Sequence, residues 1–188
     1  MHTNYLDRLV QLIRQCEIYQ GKTRVNDWNE AFEYVIVQFM QTRQNRGKLF
    51  FIGNGGSAAI ASHMTADFMK NGRMRAISLY DASILTCLGN DCGYEQVFAE
   101  SLEMLAEDGD LLVAVSSSGN SPNIVQAIET ARKNTMSVIT FSGFRPDNRI
   151  RSMGDYNIYV PVEHYGMVES IHTLLLQQIA DELLSRKE

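Results

Sequence analysis

Apolar residues recur at helical spacing from the start of the chain: Tyr5, Leu9, Leu12, Ile13 and Cys16 fall on one side. Gly21 and Lys22 interrupt the pattern. A second helical stripe follows, starting at the N-cap candidates Asn26 or Asp27. It carries Ala31, Tyr34, Val35, Phe39 and Met40 and stops near Gly47, after Arg43 and Arg46. Residues 1–46 therefore read as an N-terminal helical extension. After Gly47 the rhythm changes to short, continuous apolar runs. Five strands are predicted, over 49–52, 76–80, 111–115, 137–141 and 156–162. Helical stretches are predicted between and after them: from the first glycine-rich turn to about Lys70, over 95–107, from Pro122 to about Asn134, and from about Tyr165 to Leu184. Continuous apolar strands alternating with helices imply a five-stranded parallel sheet covered on both faces, an α/β fold with the whole of 1–188 as one domain.

Composition narrows the function classes. The 188 residues carry 45% hydrophobic and 21% charged side chains, ordinary values that exclude a disordered or fibrous chain. The formal net charge is −5, so there is no basic excess to meet a nucleic-acid backbone. No leader segment and no run of 18 apolar residues is legible, so no membrane partner is expected. Cys16, Cys87 and Cys92, odd in number and without metal-ligand spacing, point to a reducing cytoplasm.

Two loops stand out at predicted strand ends, where open parallel sheets bind ligands. The first is Gly53-Asn54-Gly55-Gly56-Ser57; the second is Ser116-Ser117-Ser118-Gly119-Asn120-Ser121. Each opens a helix whose free N–H groups favour an anion, and the serines add donors without charge. Neither loop matches G-x-G-x-x-G or the Walker pattern, which leaves dinucleotide and nucleoside triphosphate readings weak. Together the loops describe a neutral cradle for a phosphate monoester.

Two helices carry candidate chemistry. His63 and Asp67 are four apart on the helix after the first loop. That geometry suits two ligands of one metal and equally suits a surface His–Asp pair. The last helix carries Glu169, His172 and Gln177, with Glu169 and His172 three apart and Gln177 two turns beyond Glu169. A solvated Glu, a buried His and a surface Gln are the alternatives there.

Gly53-Asn54-Gly55-Gly56-Ser57, Leu88-Gly89-Asn90-Asp91 and the serine loop resemble the signatures of sugar isomerase (SIS) domains, and within them the phosphoheptose isomerase family. The resemblance covers nearly the whole chain. It implies a flavodoxin-like sheet and a homotetramer with sites at subunit interfaces. It implies that Ser116, Ser118 and Ser121 hold the phosphate, that Ser117 adds contacts, and that Asn54, Gly55, Asn90 and Asp91 line the sugar, with Gly56 and Ser57 in the same loop. It implies an aldose–ketose isomerisation through an enediol, with sedoheptulose 7-phosphate and glycero-manno-heptose 7-phosphate as the pair. The family carries His and Glu four apart on the first helix, matched here by His63 and Asp67. Its last helix reads Gln-Glu-x-His-x-x-x-x-His, matched by Glu169, His172 and Gln177. By that match His63, Asp67, Glu169 and Gln177 form an expected metal set, with Zn²⁺ as the expected ion. Asp67 is the expected general base, and Glu169 or His172 the second proton-transfer group. Gln177 stands where the family places a catalytic His, and an amide does not titrate at neutral pH. Other readings are an isomerase of a different sugar phosphate, a non-catalytic SIS scaffold of the kind that associates with the bacterial replication initiator, and a flavin or nucleotide binder.

Overall fold

The computed structural model describes residues 2–186; residues 1, 187 and 188 of the expected 1–188 domain lie outside the described residues. Helix α1 (His2–Gln15) is followed by a hairpin of β1 (Glu17–Gln20) and β2 (Thr23–Val25), then helix α2 (Trp28–Gln44). The remainder alternates: β3 (Lys48–Ile52), α3 (Gly56–Lys70), β4 (Arg75–Ser78), α4 (Ala82–Asp91), a short 3-10 turn and α5 (Val97–Leu105), β5 (Leu111–Ser116), α6 (Pro122–Lys133), β6 (Ser137–Gly143), β7 (Tyr156–Val160) and α7 (Tyr165–Ser185).

The sheet has seven strands in the order β2-β1-β7-β6-β5-β3-β4. Five are parallel; numbered among themselves in chain order they run 2-1-3-4-5, the flavodoxin-like order. The expected five strands are thus present, but the count of five is corrected to seven. The two additional strands lie inside the stretch expected to be only helical. β1 pairs antiparallel with β7, with Ile18 opposite Ile158, and β2 folds back on β1. Gly21 at φ +56° makes the tight turn between them, a conformation that glycine adopts without a Cβ penalty. Ile18 is buried in the core, so the hairpin is anchored by tertiary packing that no helical stripe foreshadows. The last strand ends at Val160 rather than at 162, because Pro161 has no N–H to extend the ladder. Helix α4 is not among the expected helices: none of its side chains is fully buried, and only Leu85 and Leu88 pack against the core, too few to give a stripe.

Asp27 caps α2 as the sequence suggests, its side chain accepting the Glu30 N–H at 3.0 Å. Two apolar clusters sandwich the sheet. One joins α2, α3 and α7 to the sheet around Phe39, Phe51, Phe68 and Ile171. The other joins α5 and α6 to it around Phe50, Phe98, Leu112 and Ile128. Helices α3 and α6 therefore lie on opposite faces. From β3 the chain crosses to β4 on one side; from β5 it crosses to β6 on the other. The strand order reverses between β3 and β5, and this reversal opens a crevice at their carboxyl ends.

Candidate active site

The two loops singled out in the sequence meet at that crevice. A cavity of about 340 Å³ is lined by Asn54, Gly55, Gly56 and Ser57 from the first loop, by Ser116, Ser117, Ser118 and Ser121 from the second, and by Tyr165 and Glu169 from α7. Eight of the ten residues expected to bind substrate are among them; Asn90 and Asp91 are not. Those two close α4, where the Asn90 amide donates to Asp91 Oδ1 at 2.7 Å.

Backbone geometry aims both loops at the cavity. Gly55 caps α3 at φ +55° and Gly119 turns the serine loop at φ +64°. A Cβ on Gly119 would overlap the Asn148 amide, so this close approach requires glycine. The helix ends are left open. Asp27, Asp81 and His164 each accept an N–H at the start of α2, α4 and α7, whereas Gly55 and Ser121 supply no side-chain cap to α3 and α6. The open N–H end of α3, at Gly56 and Ser57, therefore faces the cavity, where it favours negative charge, beside Ser121 at the start of α6. Ser117 adds a stronger sign. Its hydroxyl is buried and has no hydrogen-bond partner among the described residues, a costly state for a polar group unless a ligand completes it.

No Lys, Arg or His is among the described residues lining the cavity. Its one carboxylate is Glu169, from the first two turns of α7. A Cβ on Gly56 would meet that carboxylate, so the acid lies directly against the start of α3. Tyr165, which the sequence reading missed, packs its ring edge-on against Phe144 at 4.8 Å. Its only sequence signal is its position four residues before Glu169, on the same helix face.

The remaining candidates lie elsewhere. His63 Nε2 is 3.2 Å from Asp67 Oδ2, with the imidazole mostly exposed. Neither lines the cavity. His172 is fully buried against the sheet: Nε2 contacts the Ser142 carbonyl oxygen at 3.2 Å, the ring meets Phe141 edge-on, and Nδ1 has no partner. Burial lowers its pKa to about 4, with the Ser142 carbonyl opposing the shift. His172, expected as a possible proton-transfer group, lies in the core and does not line this cavity. Gln177 lines a separate groove on the outer side of α7, with Ser170, Thr173 and Asp181.

The expected metal set does not converge within one copy. Glu169 and Gln177 are eight residues apart on a continuous helix, about 12 Å of rise, and line different hollows. Among the described residues no three His, Cys, Asp or Glu side chains come together. Within one copy these residues do not form a Zn²⁺ site.

Comparison with known proteins agrees with the geometry. The family model described as SIS domain matches residues 22–143. The phosphoheptose isomerase of Nitratidesulfovibrio vulgaris is 38% identical, covering 95% of this chain and 91% of its own length. That of Azoarcus is 34% identical, covering 94% of both chains. The solved phosphoheptose isomerase GmhA of Neisseria gonorrhoeae superposes with a TM-score of 0.84 at 31% identity, over 98% of this chain and 95% of its own. A doubly wound sheet, a serine-lined cleft at its point of strand reversal and relatives matched over at least 91% of their length agree: the chain belongs to the SIS-domain family, in its phosphoheptose isomerase branch, and is an aldose–ketose isomerase.

Proposed function

We propose that the protein interconverts sedoheptulose 7-phosphate and glycero-manno-heptose 7-phosphate through an enediol. One observation carries the phosphate half of the reading: the buried, unpartnered Ser117 hydroxyl lies at a cavity without cationic side chains, which the open N–H end of α3 faces. Ser116, Ser118 and Ser121 surround the same space and complete a cradle of neutral donors. Such a cradle recognises a phosphate by directed N–H and O–H groups rather than by net charge.

The isomerisation moves one proton from C1 to C2 of the ketose. A base removes a C1 proton while O2 gains one, giving the enediol; C2 is then protonated as O1 loses its proton. Glu169 is our assignment for the carbon-bound proton, because it is the carboxylate of the cavity. Open N–H groups at the start of α3 lie beside it and offer stabilisation to a developing oxyanion. Asp67, expected as the general base and paired with His63, remains proposed as an acid–base group. It does not line the same cavity, so its part requires a homotetramer with sites shared between copies, as the family resemblance implies. Gln177, on the outer face of α7, falls under the same proposal. Zn²⁺ is the proposed ion for such a shared site. A cytoplasmic location is also proposed, on the three cysteines, none of which is in a disulfide.

The test is turnover of sedoheptulose 7-phosphate in D₂O, with and without added Zn²⁺, alongside the mass of the native assembly and its bound metal. Deuterium entering the sugar and vanishing in Glu169→Gln is the expected result. Phosphate binding without exchange would move the protein to the non-catalytic SIS scaffolds or to another sugar phosphate.

A further inference from the structure

The first loop is tied in place by side chains that no loop motif includes. The Tyr80 hydroxyl accepts the Gly53 N–H at 2.6 Å and donates to the Gly53 carbonyl oxygen at 2.9 Å. Gly53 itself has no room for a side chain, since a Cβ there would stand 2.6 Å from the Ser57 carbonyl oxygen. The second tie reaches across the crevice. Asn54 Nδ2 donates to Asn123 Oδ1 at 2.8 Å, and Asn123 Nδ2 donates back to Asn54 Oδ1 at 2.9 Å. The Tyr94 hydroxyl donates to the same Asn54 oxygen at 3.0 Å.

This arrangement fills Asn54. Its carbonyl oxygen accepts two hydrogen bonds, its full capacity, and one of its two amide hydrogens is engaged. The side chain expected to line the sugar keeps one free N–H. Asn123 is 2% exposed and sits in the first turn of α6, two residues after Ser121 closes the serine loop. The amide pair therefore joins the loop that opens α3 to the helix that carries the phosphate cradle.

We infer that Asn123 is a positioning residue: through Asn54 it sets the spacing between the phosphate cradle and the Glu169 end of the cavity. The kinetic part of this inference rests on the isomerase reading above. A substrate held at its phosphate presents its reacting carbons to Glu169 only if the two loops keep their spacing. Displacement of about 1 Å at a reacting centre costs on the order of 10²-fold in rate.

The experiment is a double-mutant cycle of Asn54→Ala and Asn123→Ala with three readouts. The first, amide hydrogen exchange over residues 54–58, needs no activity. Asn123→Ala is expected to speed exchange there about 10-fold, in line with the loss of two hydrogen bonds. The second is inorganic phosphate affinity, expected to stay within about twofold because the serine loop is intact. The third is sedoheptulose 7-phosphate kinetics: kcat is expected to fall about 10- to 100-fold, with the double variant no worse than either single one. Unchanged exchange in Asn123→Ala, or losses that multiply in the double variant, would overturn the inference. If Asn123→Ala does not fold, Asn123→Asp serves, since it keeps the acceptor for Asn54 Nδ2 and removes the donor. Intermediate exchange supports the tie and unchanged exchange overturns it. An unaltered protein without turnover would end the isomerase reading, while the exchange measurement still decides the positioning role.

Discussion

Asp110 holds Lys48 from the neighbouring strand: its Oδ1 accepts the Lys48 backbone N–H at 2.6 Å, and its Oδ2 lies 3.3 Å from Lys48 Nζ. Oδ2 also accepts the Glu107 N–H at 2.8 Å. Asp110 is 1% exposed. It therefore pins the starts of β3 and β5 to each other, at the opposite end of the sheet from the cavity. Asp110→Ala is expected to cost about 3 kcal/mol, because it leaves the Lys48 and Glu107 backbone N–H groups without their acceptor, while Lys48 Nζ keeps its ion pair with Glu107. Thermal melting should fall by about 6–12 °C. Phosphate affinity should hold, since the strand ends that bind it are remote from the change.

Glu169→Gln separates chemistry from binding. The substitution keeps the shape of the side chain at the start of α3 and removes its ability to take a proton. The expected loss in kcat is about 10²- to 10⁴-fold. Substrate affinity should stay or tighten, because a negative charge has left a cavity that receives a phosphate. Steady-state kinetics with equilibrium titration checks both, and an unchanged kcat would remove Glu169 from the chemistry.

Ser117→Ala should divide stability from affinity in the opposite sense to Asp110→Ala. The hydroxyl has no partner to lose among the described residues, so stability should hold or rise by up to about 1 kcal/mol. Phosphate affinity should weaken about 10-fold or more, as expected when a hydrogen bond to a charged group is lost. Calorimetric titration with inorganic phosphate measures the second and a melt the first. A large loss of stability with unchanged affinity would make Ser117 a packing residue.

His172 gives the fold a pH dependence. Burial lowers its pKa from the ordinary 6.5 to about 4, so the unfolded chain binds a proton more readily than the folded one. Its contribution is complete above about pH 6.5 and is lost as pH falls from there toward 4. By pH 5 the loss is about 2 kcal/mol. That window lies mostly above the range in which ordinary carboxylates titrate, so the effect is separable. Urea midpoints at pH 7.5 and pH 5 should differ in the unaltered protein, and His172→Leu should flatten the difference whatever it does to stability at pH 7.5.

What the sequence made legible divides along local and non-local causes. The five parallel strands and the two loops carry their signals within a few residues: an apolar run, then glycines or serines at its end. The hairpin does not. Glu17-Ile18-Tyr19-Gln20 and Thr23-Arg24-Val25 are short and partly polar; the first becomes a strand by pairing with β7, more than 130 residues later, and the second by folding back on the first. Gly21-Lys22 was visible as a break between helices and not as a turn between strands. His172 illustrates a related point. Spacing along α7 says which residues share a face, but not whether that face meets the cavity or the sheet. Asn123 carried no motif, and its part emerges only from the amide pair across the crevice.

The hairpin also decides what the sheet can do at its margins. β2 is three residues long, with Thr23 and Arg24 exposed, and the opposite margin is β4, four residues long and opening with the exposed Arg75. Short, cationic borders give an incoming backbone little ladder to extend, which guards against runaway stacking of chains edge to edge.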